Sequence, residues 1–225
     1  MERRPVTASI DVRTIIWDLD GALVDTMPDI VGALRAAARA VGYGELSDEQ
    51  TQNKVGGGAR KAFAAVFGDS GRAFVEPAVE HFRDYYPEHC AEESRLYPGV
   101  RDVLDHFHGK VSVGLATAKI RPATVKLLDT LGVIDYFDCI VTADDLQRMK
   151  PDPQSIELVL ARFGVEPGAA VMVGDMPTDI QAGKAAGTQT VGVTYGYGKA
   201  SALRESNPDA LVDSPSELLE VIRCA

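Results

Sequence analysis

From residue 97 onward short apolar runs alternate with segments of helical periodicity, and this alternation constrains the fold more than any other feature of the sequence. The runs 111–117, 139–142, 170–174, 190–194 and 210–212 are rich in Val, Ile, Leu and Ala, and read as strands. Between and after them, 100–108, 122–131, 153–163, 178–186 and 215–222 place apolar residues at helical spacing. Strands that alternate with helices of this length form βαβ units, which make a sheet parallel and cover both its faces. With a first strand in the apolar stretch that starts at Thr14, the expected class is α/β, a doubly wound and mostly parallel sheet of Rossmann-like type.

The segment between that first strand and the alternation has another character. Residues 30–41 are alanine-rich with apolar positions at helical spacing, and Gly42 and Gly44 end them as C-terminal glycines do. Ser47, with Gln50 three residues on, starts a second helix. Val55-Gly56-Gly57-Gly58-Ala59-Arg60-Lys61 opens a third, and 73–90 gives a fourth with Phe74, Val79, Phe82, Tyr85 and Tyr86 as its buried candidates. A helical bundle inserted after the first strand is expected. The expected division is a core of 1–24 and 96–225 around an inserted helical domain of 25–95, which 225 residues accommodate.

Composition narrows the partners. A chain that is 45% hydrophobic and 25% charged matches an ordinary globular protein. Its net charge of −10 argues against a nucleic-acid partner, because phosphate backbones are held by excess Lys and Arg. No window approaches the roughly 20 apolar residues that span a bilayer, so no membrane partner is expected. The basic start Met1-Glu2-Arg3-Arg4-Pro5 is not followed by the apolar stretch of a signal peptide. Cys90, Cys139 and Cys224 are far apart and read as free thiols, so the expected location is cytoplasmic.

In open parallel sheets, ligands bind outside the carboxyl ends of the strands, so the residues there are the candidates for chemistry. The first strand ends in Asp18-Leu19-Asp20-Gly21, and strand alternation sends Asp18 and Asp20 to the same side. Two like charges so close call for a cation, a raised pKa, or both. A strand that ends in a polar turn accounts equally well for this stretch alone. The next ends offer Thr117-Ala118-Lys119, a segment leading to Lys150-Pro151, and Gly174-Asp175-Met176-Pro177-Thr178-Asp179. Each has a plain reading by itself: Thr117 a helix cap, Lys150 a surface lysine, Asp175 a turn before Pro177, Asp179 a carboxylate favoured at a helix N-terminus. Together they deliver carboxylates, a hydroxyl and an ammonium to one rim.

The ordered set Asp18-x-Asp20-Gly21-x-x-x-Asp25, Thr117, Lys150-Pro151 and Gly174-Asp175-x-x-x-Asp179 resembles the four signature motifs of the haloacid-dehalogenase-like hydrolase superfamily. The inserted helices are similar to the helical cap of some members. Within the superfamily, 55–59, 192–198, 207–210 and 213–218 resemble the phosphoglycolate phosphatases. The resemblance implies a phosphatase that uses Mg²⁺ and acts on a small phosphorylated metabolite, with 2-phosphoglycolate the first candidate. It implies Asp18 as nucleophile, Asp20 as general acid and base, and Thr117 and Lys150 as catalytic groups that bind the phosphoryl oxygens together with Ala118. The implied metal ligands are Asp18, Asp20 through its backbone carbonyl, Asp175 and Asp179. Gly57 and Gly58, with exposed N–H groups, and Arg60, with its charge, are expected to bind the substrate's non-phosphate end. An interhelix turn with a solvated basic pair is the alternative there. The sequence departs from the pattern at Ala22, where most members carry Thr, and at Ala118, where many carry Asn or Gly. A β-phosphoglucomutase-like phosphomutase and a noncatalytic binding or regulatory protein share the fold. The complete set of charged motif residues disfavours the noncatalytic protein.

Overall fold

A computed structural model of the chain describes residues 9–52 and 58–225. The stretch 53–57, which includes the expected substrate-binding residue Gly57, lies outside the described residues. The strands in chain order are β1 (Ile10–Val12), β2 (Thr14–Trp17), β3 (Val24–Asp25), β4 (Arg95–Leu96), β5 (Ser112–Ala116), β6 (Cys139–Val141), β7 (Ala170–Gly174), β8 (Gln189–Val193), β9 (Ala210–Val212) and β10 (Ile222–Cys224). The helices are α1 (Met27–Ala40), α2 (Asp48–Gln52), α3 (Ala59–Phe67), α4 (Val75–His89), α5 (Val100–Phe107), α6 (Arg121–Thr130), α7 (Gln154–Phe163), α8 (Pro177–Ala186), α9 (Ala200–Glu205) and α10 (Leu218–Val221). They divide between two compact units: residues up to Asp25 with Leu96–Thr117 and Val133–Ala225, and Thr26–Arg95 with Ala118–Gly132.

The first unit is built on a six-stranded sheet in the order β6-β5-β2-β7-β8-β9. Every pairing in it is parallel. All residues of β2 and of β7 are buried, so these runs lack the in-out alternation of a half-exposed strand, as a sheet covered on both faces requires. Ile16, Ala116, Val141 and Met172 from the strands form one core with Ile156, Val159 and Leu160 of α7 and Ala182 of α8. Gly114 marks the closest approach, since a Cβ there would lie 2.5 Å from Val159 Cγ1. The fold class is the α/β sheet expected from the alternation.

Strand order also fixes where a ligand can enter. From β2 the chain builds outward on one side through β5 and β6, then returns to add β7, β8 and β9 on the other. The order reverses between β2 and β7, and a crevice opens at such a switch point outside the carboxyl ends of the two strands. Trp17 of β2 lies opposite Val173 of β7, so Asp18 leaves β2 level with Gly174, one residue before Asp175 follows the end of β7.

In the second unit α4 packs against α1, α3 and α6. Phe63 and Phe67 of α3 meet Phe82 and Phe74, and Tyr43 lies 4.2 Å from Phe67 between ring centroids. Asp29, in the first turn of α1, is buried and accepts hydrogen bonds from the Glu93 and Ser94 amides and the Ser94 hydroxyl at 2.6–3.2 Å. Those donors satisfy a carboxylate that would otherwise be costly to bury.

Two features differ from the expectation. Residues 118–132, assigned by sequence to the core, group with the inserted helices because α6 packs on α4. The C-terminal helical segment is shorter than 215–222: a 3₁₀ turn at Pro215–Glu217 precedes α10, and the chain then extends into β10. Parallel pairing of β10 with β1, Ile222 opposite Ile10, draws those residues out of the helix. No helix among the described residues is long and apolar enough to cross a membrane.

Replacing Asp29 by Ala leaves the buried Ser94 amide and hydroxyl without this acceptor. Asp29→Ala is expected to lower the unfolding free energy by about 1–3 kcal/mol, seen as a lower urea midpoint with circular dichroism. An unchanged midpoint would show that the contact contributes nothing net.

Candidate active site

The carboxylates at the switch point are held by short, tightly closed segments. After β2 the chain turns back at once: the Leu23 and Val24 amides donate to the Leu19 carbonyl at 3.1 and 3.0 Å, and the Gly21 amide to the Val24 carbonyl at 2.9 Å. Gly21 has a φ of +90°, and a Cβ there would lie 2.4 Å from Asp175 Oδ2. Glycine is thus demanded both by backbone conformation and by the neighbouring carboxylate. After β7, Asp179 in the first turn of α8 accepts from the Met176 amide at 2.9 Å through Oδ2. This part of its role is the plain helix-terminal one.

Asp18, Asp175 and Asp179 each place a carboxylate oxygen within 4.8 Å of the others, and their exposures are 8%, 0% and 1%. Lys150 reaches them from the loop before α7. Its ammonium donates to Asp18 Oδ1 at 2.6 Å and to the Ala116 carbonyl at 3.0 Å, and pairs with Asp179 Oδ1 at 2.6 Å. All three donors of an ammonium are thereby accounted for. Far from being a solvated surface lysine, Lys150 has a side chain that is only 9% exposed.

Burial and mutual repulsion set the acidities. Burial holds the Asp18 carboxyl well above the ordinary range; Lys150 works against this, and Asp179 and Asp175 add to it. Asp175 is pushed up to about 7, by burial and then by Asp179, against the Tyr197 and Gly198 amides and Lys150. Burial opposes the charged form of Lys150, but Asp179 and Asp18 outweigh it and its pKa rises. When ionised, three carboxylates against one ammonium leave two negative charges uncompensated. Asp175 Oδ2 accepts from the Tyr197 and Gly198 amides at 2.8 and 3.2 Å, whereas Oδ1 is buried without a hydrogen-bond partner. An orphaned carboxylate oxygen beside two others, with a charge deficit of two, fits a divalent cation bound by oxygen.

A family model described as haloacid dehalogenase-like hydrolase matches residues 15–193. The chain belongs to the haloacid dehalogenase-like hydrolases. Among relatives of this family, it is 33% identical over 220 residues to a phosphoglycolate phosphatase of Vibrio parahaemolyticus, covering 94% of this chain and 96% of that one. It is 34% identical over 218 residues to an N-acetylmuramic acid 6-phosphate phosphatase of Pseudomonas aeruginosa, covering 94% and 95%. A crystal structure of a predicted phosphoglycolate phosphatase from Haemophilus somnus superposes with a TM-score of 0.85 at 26% identity, covering 93% of this chain and 97% of that one.

The other expected site residues of this hydrolase fall in different places. Asp20, half-buried, follows Asp18 in the closed turn, and its carboxylate is not one of the trio. Thr117, 1% exposed, directly follows β5; it is not a helix cap, since Ile120 holds that position before α6. Its amide donates to the Val141 carbonyl at 3.0 Å and is thereby engaged in the sheet-bearing unit. Ala118 begins the segment grouped with the second unit. Gly58 is exposed with a φ of +92°, and Arg60 is exposed and paired with Glu76 on the surface of that unit. At the departure from the family pattern, Ala22 is fully buried and its carbonyl accepts from the Tyr195 hydroxyl at 2.9 Å. Sequence reasoning assigns no role to Tyr195-Gly196-Tyr197-Gly198, although these residues follow a strand end; the contacts of Tyr197 and Gly198 with Asp175 are made by backbone amides, which carry no side-chain signature.

A carboxyl group whose folded pKa is raised favours the folded state while protonated and disfavours it once ionised. With metal removed by EDTA, the contribution of Asp175 to stability therefore declines as pH rises from its unfolded value of about 4 to its folded value of about 7. Asp175→Asn is expected to melt higher than wild type at pH 8 in EDTA and to show a shallower loss between pH 4.5 and 8. Parallel melting curves across that range for the two proteins would contradict this.

Proposed function

We propose that the chain is a Mg²⁺-dependent phosphatase that hydrolyses the monoester of a small phosphorylated metabolite, 2-phosphoglycolate first, through an aspartyl-phosphate. The observation that carries this reading is the buried group of Asp18, Asp175 and Asp179 with Lys150 on Asp18. The relatives described as phosphatases support it. A phosphate ester resists attack because nucleophile and target are both anionic, so charge must be neutralised where the new bond forms.

Asp18 attacks phosphorus as the ester P–O bond breaks, and Asp20 gives its proton to the leaving alkoxide. Asp20, now ionised, takes a proton from water, whose oxygen attacks phosphorus, breaks the bond to Asp18 and releases phosphate. Lys150 holds Asp18 Oδ1, keeping the carboxylate charged and aimed, and its charge also faces the phosphoryl oxygens. The Thr117 hydroxyl and the amide of Ala118 bind those oxygens. Asp18, Asp175, Asp179 and the Asp20 carbonyl would hold Mg²⁺, which when bound would supply positive charge to offset that of the phosphoryl group. Gly57, Gly58 and Arg60 are assigned to the non-phosphate end, where the Arg60 guanidinium suits a carboxylate.

With p-nitrophenyl phosphate and Mg²⁺, Asp18→Asn is expected to reduce phosphate release to background, and Asp20→Asn to slow it by about 10²–10⁴-fold. Turnover near wild type in Asp18→Asn would end the nucleophile assignment. A panel of 2-phosphoglycolate, N-acetylmuramic acid 6-phosphate and glycerol phosphate, with no bisphosphate activator, reads both hydrolysis and preference. Arg60→Ala is expected to lower kcat/KM for the substrates bearing a carboxylate by about tenfold relative to glycerol phosphate, the scale of one lost charge-assisted hydrogen bond. Unchanged ratios would remove Arg60 from substrate recognition.

A further inference from the structure

Tyr195-Gly196-Tyr197-Gly198 lies directly on the cation ligands. A Cβ on Gly196 would be 2.2 Å from the Gly21 carbonyl oxygen and 2.4 Å from Asp175 Cβ, and one on Gly198 would be 1.9 Å from the Asp175 carbonyl oxygen. Glycines give this close approach but no side chain to hold it, and they leave the backbone flexible. The tyrosines supply anchors. Tyr195 donates to the Ala22 carbonyl and its ring lies tilted against that of Tyr97, with centroids 5.0 Å apart. Tyr197 acts at two atoms: its amide donates to Asp175 Oδ2 at 2.8 Å and its hydroxyl to Asp25 Oδ1 at 3.0 Å. The Tyr97 hydroxyl is also hydrogen-bonded to that of Tyr197.

We propose that Tyr197 is a positioning residue for the cation site: anchored through its hydroxyl on Asp25, it fixes the amides that grip Asp175 Oδ2 and so aims the orphaned Oδ1 at the ion. A carboxylate held by one oxygen can swing the other out of line, and two amides on Oδ2 prevent this only while the glycine-rich segment itself stays in place. Asp25 gives that segment a fixed point on the first unit, at the last residue before the chain leaves it. Tyr97, the second residue after the chain returns, donates its amide to the Leu23 carbonyl at 3.1 Å and joins the same network. The ligand geometry of Asp175 is thus tied to the two linkers of the sheet-bearing unit. The positioning role rests on the proposed function, in which Asp18, Asp175 and Asp179 are cation ligands.

The test measures Mn²⁺ binding to the full chain by the loss of the free-ion electron paramagnetic resonance signal, alongside melting curves in EDTA. Tyr197→Phe keeps the amide and the ring and loses only the hydroxyl; Asp25→Ala removes its acceptor. Both are expected to weaken Mn²⁺ binding by about tenfold, the lower end of the loss when a group that orients a metal ligand is removed. Asp25→Asn, which keeps an acceptor oxygen, is expected to retain most of the affinity. Tyr136→Phe, which loses a hydroxyl bond to Asp105, is expected to bind as wild type. Lower melting temperatures with unchanged Mn²⁺ affinity in Tyr197→Phe and Asp25→Ala would make the contact merely structural and overturn the inference. If those two variants bind normally while Asp175→Asn does not, the cation site stands and the positioning role falls. Wild-type affinity in Asp175→Asn would remove the cation site and the positioning role with it.

Discussion

The crowding of three buried carboxylates around one ammonium is the constraint that the rest of the site answers. Each carboxylate has an oxygen fixed by the protein: Asp18 Oδ1 by Lys150, Asp175 Oδ2 by two amides, Asp179 Oδ2 by the Met176 amide. Lys150 then takes Asp179 Oδ1 as well, and the oxygen left buried and unmatched belongs to Asp175. Such an arrangement is costly by itself, as the raised pKa values of Asp18 and Asp175 express. It becomes favourable when a cation joins it. The four glycines that touch it serve the same end, since Cβ atoms at Gly21, Gly174, Gly196 or Gly198 would each come within 2.7 Å of Asp175 or Asp179.

Topology explains why these particular residues meet. The sheet grows outward from β2 in both directions, so β2 and β7 are neighbours whose following segments diverge. Asp18 and Asp175 leave these two strands within one residue of the same level, and α8 starts close enough for Asp179 to join them. Lys150 comes from farther away, through the loop before α7, and is captured by the Ala116 carbonyl at the end of β5 as well as by the carboxylates. Three neighbouring strand ends thus supply the partners that hold one lysine in a dry place.

The sequence exposes this part of the molecule well because it depends on side-chain type at strand ends. Apolar runs that stop at Asp18, Thr117 and Asp175 identify the rim without any knowledge of the pairing. Lys150 is harder: nothing local distinguishes it from a surface lysine, and only its place in an ordered set singles it out. Tyr197 and Gly198 fall within 192–198, a stretch that carries the resemblance, but their part in holding Asp175 is not legible there because those contacts run through amides. Pairing of β1 with β10 is equally hidden, since three-residue strands from opposite ends of the chain carry no local period. The grouping of 118–132 with the inserted helices reflects packing of α6 on α4, a contact between segments that are distant in sequence.

The distribution of partners also separates the proposed roles of the two aspartates in the first turn. A nucleophile must be ionised and aimed, and Asp18, with one oxygen on Lys150, is placed for that despite the burial that raises its pKa. An acid that becomes a base must gain and lose a proton within each cycle, so a permanent cationic partner would hinder it. Lys150 has its three donors engaged by Asp18, Asp179 and the Ala116 carbonyl, and Asp20 is not among their acceptors. Two carboxylates two residues apart, indistinguishable as a pair in the sequence, are therefore made unequal by groups that arrive from Lys150 and Asp175, more than a hundred residues further along the chain.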